Sequence, residues 1–132
     1  MRRRARRSTR SLGGMLRKYQ VSASLALRAV KVLHTLAWAT FAGCILALPI
    51  AAYLKNFQVA AFLVAIVLVE VVVLIANHFR CPLTDIAARY TDDRSANFDI
   101  YLPLWIARYN KEIFGSLFVA GIIFTWFRWR AA

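Results

Sequence analysis

The chain has 132 residues, 61% of them hydrophobic and 18% charged, with a formal net charge of +12 and a mean hydropathy of +0.54. An ordinary soluble domain of this length is less apolar, and the apolar residues here run in long blocks, so composition points to a membrane protein and away from a soluble-type enzyme. No Ser-His-Asp set, phosphate loop, zinc motif or pair of catalytic carboxylates can be assembled from the sequence, and an enzyme is the less favoured reading.

The positive charge is concentrated at the start. Residues 1–29 read as a flexible basic tail without an acidic residue. Its densest part, Arg2, Arg3, Arg4, Arg6, Arg7 and Arg10, is expected to contact anionic lipid headgroups, at about 1 kcal/mol per basic residue close to the surface. Nucleic acid is the rival partner, since phosphate contacts need only clustered Lys and Arg. The tail has one aromatic, Tyr19, and no recognisable nucleic-acid module follows it, so this reading is disfavoured. The Arg- and Ser-rich composition also resembles a mitochondrial transit sequence, and the Arg pairs faintly resemble a twin-arginine signal. The first apolar run is longer than a signal core and two more follow, which favours a bacterial inner-membrane anchor. The mitochondrial inner membrane is the alternative.

Residues 30–132 form the expected transmembrane domain, an all-α bundle of three spans and an interfacial segment. The first span covers residues 32–53. Its 22 residues reach about 33 Å as a helix, enough for a hydrocarbon core of about 30 Å. Lys55 and Asn56 leave room only for a tight turn, so the second span, 57–78, returns antiparallel as a transmembrane hairpin. The third span, 112–128, is short, but Lys and Arg side chains at its ends can snorkel. Between the second and third spans, Arg80, Arg89, Arg94, Arg108 and Lys111 outnumber Lys55 in the hairpin turn and Arg128 and Arg130 at the end of the chain. The excess of basic residues predicts a cytoplasmic N-terminus and a C-terminus outside.

Glu70 is the most informative residue of the spans, because a carboxylate at membrane depth is costly and normally faces the bundle interior with a partner. If the second helix continues far enough, Leu74, Asn77, His78 and Cys81 share its face. His34, Trp38, Phe41 and Ile45 make a corresponding stripe on the first helix. His34, Glu70, Asn77, His78, Cys81 and Thr84 are therefore expected to form a polar network at the cytoplasmic mouth of the hairpin. Two histidines at similar depth on adjacent helices also suit bis-imidazole ligation, so His34 and His78 are candidate ligands of a haem b. A small transporter or proton-conducting subunit using Glu70 is a third reading. Three spans make a narrow bundle, and either alternative calls for a homo-oligomer or a larger membrane complex.

Pro82 is expected to end the second helix at Cys81, with Thr84 or Asp85 capping a following helix. Cys44 lies too deep in its span to meet Cys81, so a disulfide is not expected, and Cys81 is a candidate for lipidation or redox chemistry. Residues 82–110 read as interfacial. Within them the stretch 96–109 is expected to pack back on the hairpin mouth, with Tyr101, Trp105 and Tyr109 as interfacial anchors.

Leu33-His34 in the first span, Glu70 in the second, Cys81-Pro82-Leu83-Thr84 after it, and Phe98-x-x-Tyr101-Leu102-Pro103-Leu104 before a last apolar helix resemble a family of small bacterial integral membrane proteins without an assigned activity. The resemblance implies architecture rather than chemistry. In that pattern the acidic residue lies closer to the Cys-Pro-Leu-Thr element and a His stands where this chain has Ile100. The long basic N-terminal tail looks like an addition to it.

Overall fold

The computed structural model describes the backbone of residues 2–132 and the side chains of residues 13–132. It contains five α-helices, α1 (Arg2–Tyr53), α2 (Phe57–Ala76), α3 (Pro82–Ala87), α4 (Leu104–Arg108) and α5 (Asn110–Arg130), and no strand among the described residues. Helices α1, α2 and α5 are each long and apolar enough to cross a membrane. The headgroup contacts expected of Arg2, Arg3, Arg4, Arg6, Arg7 and Arg10 lie outside the described side chains.

Helix α1 runs unbroken through residue 30, so the expected boundary between tail and span lies inside one helix. The stretch 15–31 has no proline and repeats Ala, Leu, Arg and Lys, all strong helix formers. Its serines do not break the helix, because Ser22 Oγ and Ser24 Oγ donate back to the carbonyls of Tyr19 and Val21. Inside the apolar half, Pro49 is the one interruption, and its ring cannot donate to the Ile45 carbonyl.

The turn from α1 to α2 is a Schellman closure. Asn56 N donates to Ala51 O at 2.9 Å and Lys55 N to Ala52 O at 3.1 Å, with Lys55 in the left-handed region at φ 58°. These two bonds satisfy carbonyls that the end of α1 would otherwise leave unpaired. The Asn56 side chain then accepts from Val59 N at 3.3 Å and starts α2.

Helix α1 is the centre of the bundle and packs along both α2 and α5, which touch each other only lightly. The core joins Ile45, Leu48 and Ala51 of α1 to Ala60 and Val67 of α2 and Phe118 of α5. Small residues set the spacing. Gly121 of α5 lies so close to Leu48 that a Cβ there would stand 3.0 Å from Leu48 Cδ2. Nearer the mouth, Trp38 meets Phe114 edge to face with centroids 5.4 Å apart, and its Nε1 donates to Asn110 Oδ1 at 2.8 Å.

Helix α2 ends earlier than Pro82 suggested. A second Schellman closure forms after Ala76: Phe79 N donates to Leu74 O at 2.6 Å and His78 N to Ile75 O at 3.3 Å. His78 (φ 55°) and Phe79 (φ 59°) are both left-handed, a conformation for which His is tolerated and a bulky residue is strained. Nor do Thr84 or Asp85 cap α3. Cys81 occupies the N-cap in extended geometry with Pro82 directly after it, the first-turn position where a missing N–H costs nothing. Thr84 and Asp85 lie inside the helix, and the Thr84 hydroxyl is directed elsewhere.

Candidate functional site: the polar mouth of the bundle

The early end of α2 changes how the mouth is built. The face projected from Glu70 through Asn77 to His78 and Cys81 does not extend past Ala76 as helix, and the chain instead swings through the left-handed pair and returns at Cys81. Helix α3 then packs on α1, while the loop after it brings Phe98, Asp99 and Ile100 into the interior, at 8%, 5% and 6% exposure.

Asp99 is the centre of the cluster. Its Oδ2 lies 3.1 Å from His34 Nδ1, and its backbone carbonyl lies 3.2 Å from the same nitrogen. Thr84 Oγ1 donates to Oδ2 at 2.5 Å. One carboxylate therefore joins α1, α3 and the loop between α3 and α4. Two acceptors face His34 Nδ1, so that nitrogen carries a proton. Burial pushes the Asp99 carboxyl up, but the hydrogen bonds from His34 and Thr84 outweigh it and leave the group below its ordinary value.

Further contacts fix the same segment. Thr35 Oγ1 accepts from Tyr101 N at 3.0 Å and donates to Lys31 O at 2.7 Å, so one hydroxyl links loop and helix. The Lys31 ammonium stands 4.9 Å from the centre of the Tyr101 ring, within cation–π range. Asn97 Nδ2 donates to Leu102 O at 3.0 Å and braces the loop from within. Of the expected stretch 96–109, residues 98–101 thus pack back on α1 at the mouth, while α4 has no buried residue.

The expected site residues separate into three settings. His34 and Thr84 meet on Asp99, while Cys81 is half-buried at the N-cap of α3 and Glu70 is half-buried on α2. Asn77 is occupied in the turn, where its Nδ2 donates to Arg80 O at 2.8 Å and Asp85 Oδ2 at 3.0 Å. His78 is exposed. The two histidines of the haem reading therefore occupy unlike surroundings, one interior and hydrogen-bonded, the other on an outer turn. Among the described residues, no three His, Cys, Asp or Glu side chains are arranged to hold a metal ion.

Asp99 is the residue that sequence reasoning passed over. A signal for it existed: a carboxylate between Phe98 and Ile100, in a segment apolar enough to be buried, needs donors from elsewhere in the chain. No protein-family model, curated protein or solved structure matches the chain, so the reading of the mouth rests on its own geometry.

Proposed function

We propose that this chain is a multi-pass protein of the bacterial inner membrane, with its N-terminus in the cytoplasm and its C-terminus outside, and that it serves a structural or accessory role. The observation that supports this most is the buried Asp99 carboxylate. It clamps the loop before α4 onto His34 and Thr84, which gives three apolar helices one defined polar mouth. Such a clamp suits a scaffold that presents a fixed surface at the membrane boundary. The excess of basic residues in the tail and in the segment between α2 and α5 favours a cytoplasmic mouth, with anionic headgroups as the partner of the tail. The resemblance of the Cys81-Pro82-Leu83-Thr84 element to a bacterial membrane family supports the bacterial assignment. Exposed Phe62, Val69 and Val72 on α2, and Ile123 and Phe127 on α5, suit contact with lipid, with a second copy or with a larger membrane complex.

The orientation is tested by placing single cysteines at Lys55 and Asp92 in a Cys44→Ser, Cys81→Ser background and treating intact cells with a membrane-impermeant maleimide. Labelling at position 55 and protection at position 92 is the expected pattern, and the reverse overturns it. The role of the polar groups is tested by membrane accumulation of Glu70→Gln and Glu70→Leu. A structural role predicts that the Gln variant is tolerated better; equal and complete loss of both counts against it.

A further inference from the structure

The hairpin end holds a charge that the fold does not neutralise. Arg128 of α5 is half-buried. Its Nη2 donates to Tyr53 O at 3.0 Å, and its Cζ stands 5.5 Å from the centre of the Tyr53 ring. A guanidinium carries five N–H groups, and the buried Nε has no acceptor among the described residues. No acidic side chain is placed to supply one. The six acidic residues all lie from Glu70 to Glu112, and both ion pairs among the described residues are at the mouth. Lys55, two residues beyond Tyr53, and Arg130, two beyond Arg128, add positive charge at the same boundary.

An apolar groove leads to this charge. It runs between α1 and α5, over Ile45, Leu46 and Pro49 on one side and Leu117, Gly121 and Phe124 on the other. Both helices run from the mouth to the hairpin end. Four residues on from Pro49 the α1 face reaches Tyr53, and four on from Phe124 the α5 face reaches Arg128. Pro49, Ala120 and Gly121 are small, so the floor lies low between exposed Leu46, Leu117 and Phe124. From Leu117 to Arg128 the α5 face rises about 16 Å, close to half of a hydrocarbon core of about 30 Å. The groove is as deep as one leaflet. Trp126 and Trp129, exposed at the end of α5, suit the headgroup boundary.

We propose that this groove and Arg128 form a binding site for an anionic phospholipid, with one acyl chain along the groove and the phosphate on the Arg128 guanidinium. Hydrogen bonds from Arg to phosphate are charge-assisted, and the planar fork matches the phosphate oxygens. The contact with Tyr53 already restricts the guanidinium, so less side-chain freedom is lost on binding. Charge selects the headgroup. A zwitterionic lipid brings an ammonium toward Lys55, Arg128 and Arg130, whereas phosphatidylglycerol does not. Inorganic phosphate could meet the same guanidinium but would leave the groove unfilled. The site lies at the opposite end of the bundle from the basic tail and is distinct from the headgroup contacts expected there. It rests on the reading of the chain as a membrane protein, and on neither its orientation nor its structural role.

The full chain in mild detergent is titrated with phosphatidylglycerol and read by native mass spectrometry, following the tightest-bound lipid. Phosphatidylglycerol is expected to bind at least about tenfold more tightly than phosphatidylethanolamine, and inorganic phosphate at matched concentration is expected not to displace it. Arg128→Gln should weaken it at least about tenfold, as loss of a charged hydrogen bond does. Arg108→Gln removes the same charge at the mouth and should leave it unchanged. Ala120→Phe fills the groove from an exposed position while keeping Arg128, and should also weaken the lipid, which tests the site even if Arg128→Gln loses its cooperative melting transition. Equal binding of the two lipids, displacement by inorganic phosphate, or undiminished affinity in Ala120→Phe or in folded Arg128→Gln overturns the proposal. An alkaline carbonate wash of membranes separates that failure from failure of the membrane reading. A chain that stays with the membranes but binds no lipid loses only this site, and a chain that washes out loses both.

Discussion

The bundle is closed at its two ends by different chemistry. At the hairpin end the backbone does most of the work: the turn after Tyr53 satisfies its own carbonyls within a few residues, and Lys55 takes the left-handed position. The one long-range hydrogen bond added there among the described residues is from Arg128, whose Nη2 donates to Tyr53 O at 3.0 Å. At the mouth, side chains bridge distant parts of the chain, with 65 residues separating His34 from Asp99, 66 separating Thr35 from Tyr101 and 72 separating Trp38 from Asn110. A local closure is robust, because each bond is backed by its neighbours. A closure built on one buried carboxylate fails when that carboxylate is removed.

Asp99 is therefore where the contrast breaks first. Asp99→Leu leaves the Thr84 hydroxyl without its acceptor and His34 Nδ1 with only the residue-99 backbone carbonyl, and is expected to cost about 3 kcal/mol. Asp99→Asn keeps an acceptor and should cost about 1 kcal/mol. Equilibrium unfolding in mixed detergent micelles reads the difference, and equal losses would show that the carboxylate does not hold the mouth. The same group sets an acid limit. Because its folded value is depressed, its stabilisation is complete above the unfolded value of about 3.9 and is lost as pH falls through the folded value. Melting temperature should thus drop on the acid side of about pH 4 in the wild type, and that part of the drop should be missing in Asp99→Asn.

Between the two ends, Gly121 reports on the packing that carries one closure to the other. Valine there forces methyl groups onto Leu48, which is 1% exposed, at an expected cost of about 2 kcal/mol. Alanine asks only that Leu48 Cδ2, 3.0 Å from the added Cβ, give by a few tenths of an ångström. A Val variant no worse than Ala would mean that α1 and α5 are less closely packed than this contact implies. At the hairpin end, Arg128→Ala removes one donor from the Tyr53 carbonyl and a guanidinium 5.5 Å from the centre of the Tyr53 ring. The loss should be about 1 kcal/mol, since water can replace the donor at a helix end.

What could be read in the sequence follows the same division. The ends of α1 and α2 at the hairpin follow from Lys55-Asn56 between two apolar runs, and α5 follows from apolar length alone, although Asn110 and Lys111 extend it. The inward stripe of His34, Trp38, Phe41 and Ile45 is a matter of helical period. The mouth was less legible because helical period stops applying after Ala76. His78 and Phe79 carry no glycine or proline to announce a left-handed turn, so the projected face ran on to Cys81 through residues that leave the helix. Asp99 lies 65 residues from His34, and no local pattern links them. Only the need of a buried carboxylate for donors does.

Lys55 gives the smallest effect and the sharpest test of the hairpin end. Its φ of 58° places a side chain where the left-handed backbone crowds Cβ, a strain of about 1 kcal/mol that glycine avoids. Glycine also frees the unfolded chain, which offsets part of the gain. The net expectation for Lys55→Gly is a stabilisation of about 0.5 kcal/mol, read as a small rise in melting temperature with the mouth's response to acid unchanged. If the variant is instead destabilised, the Lys55 side chain makes a compensating contact. The hairpin end would then depend on a side chain as the mouth depends on Asp99.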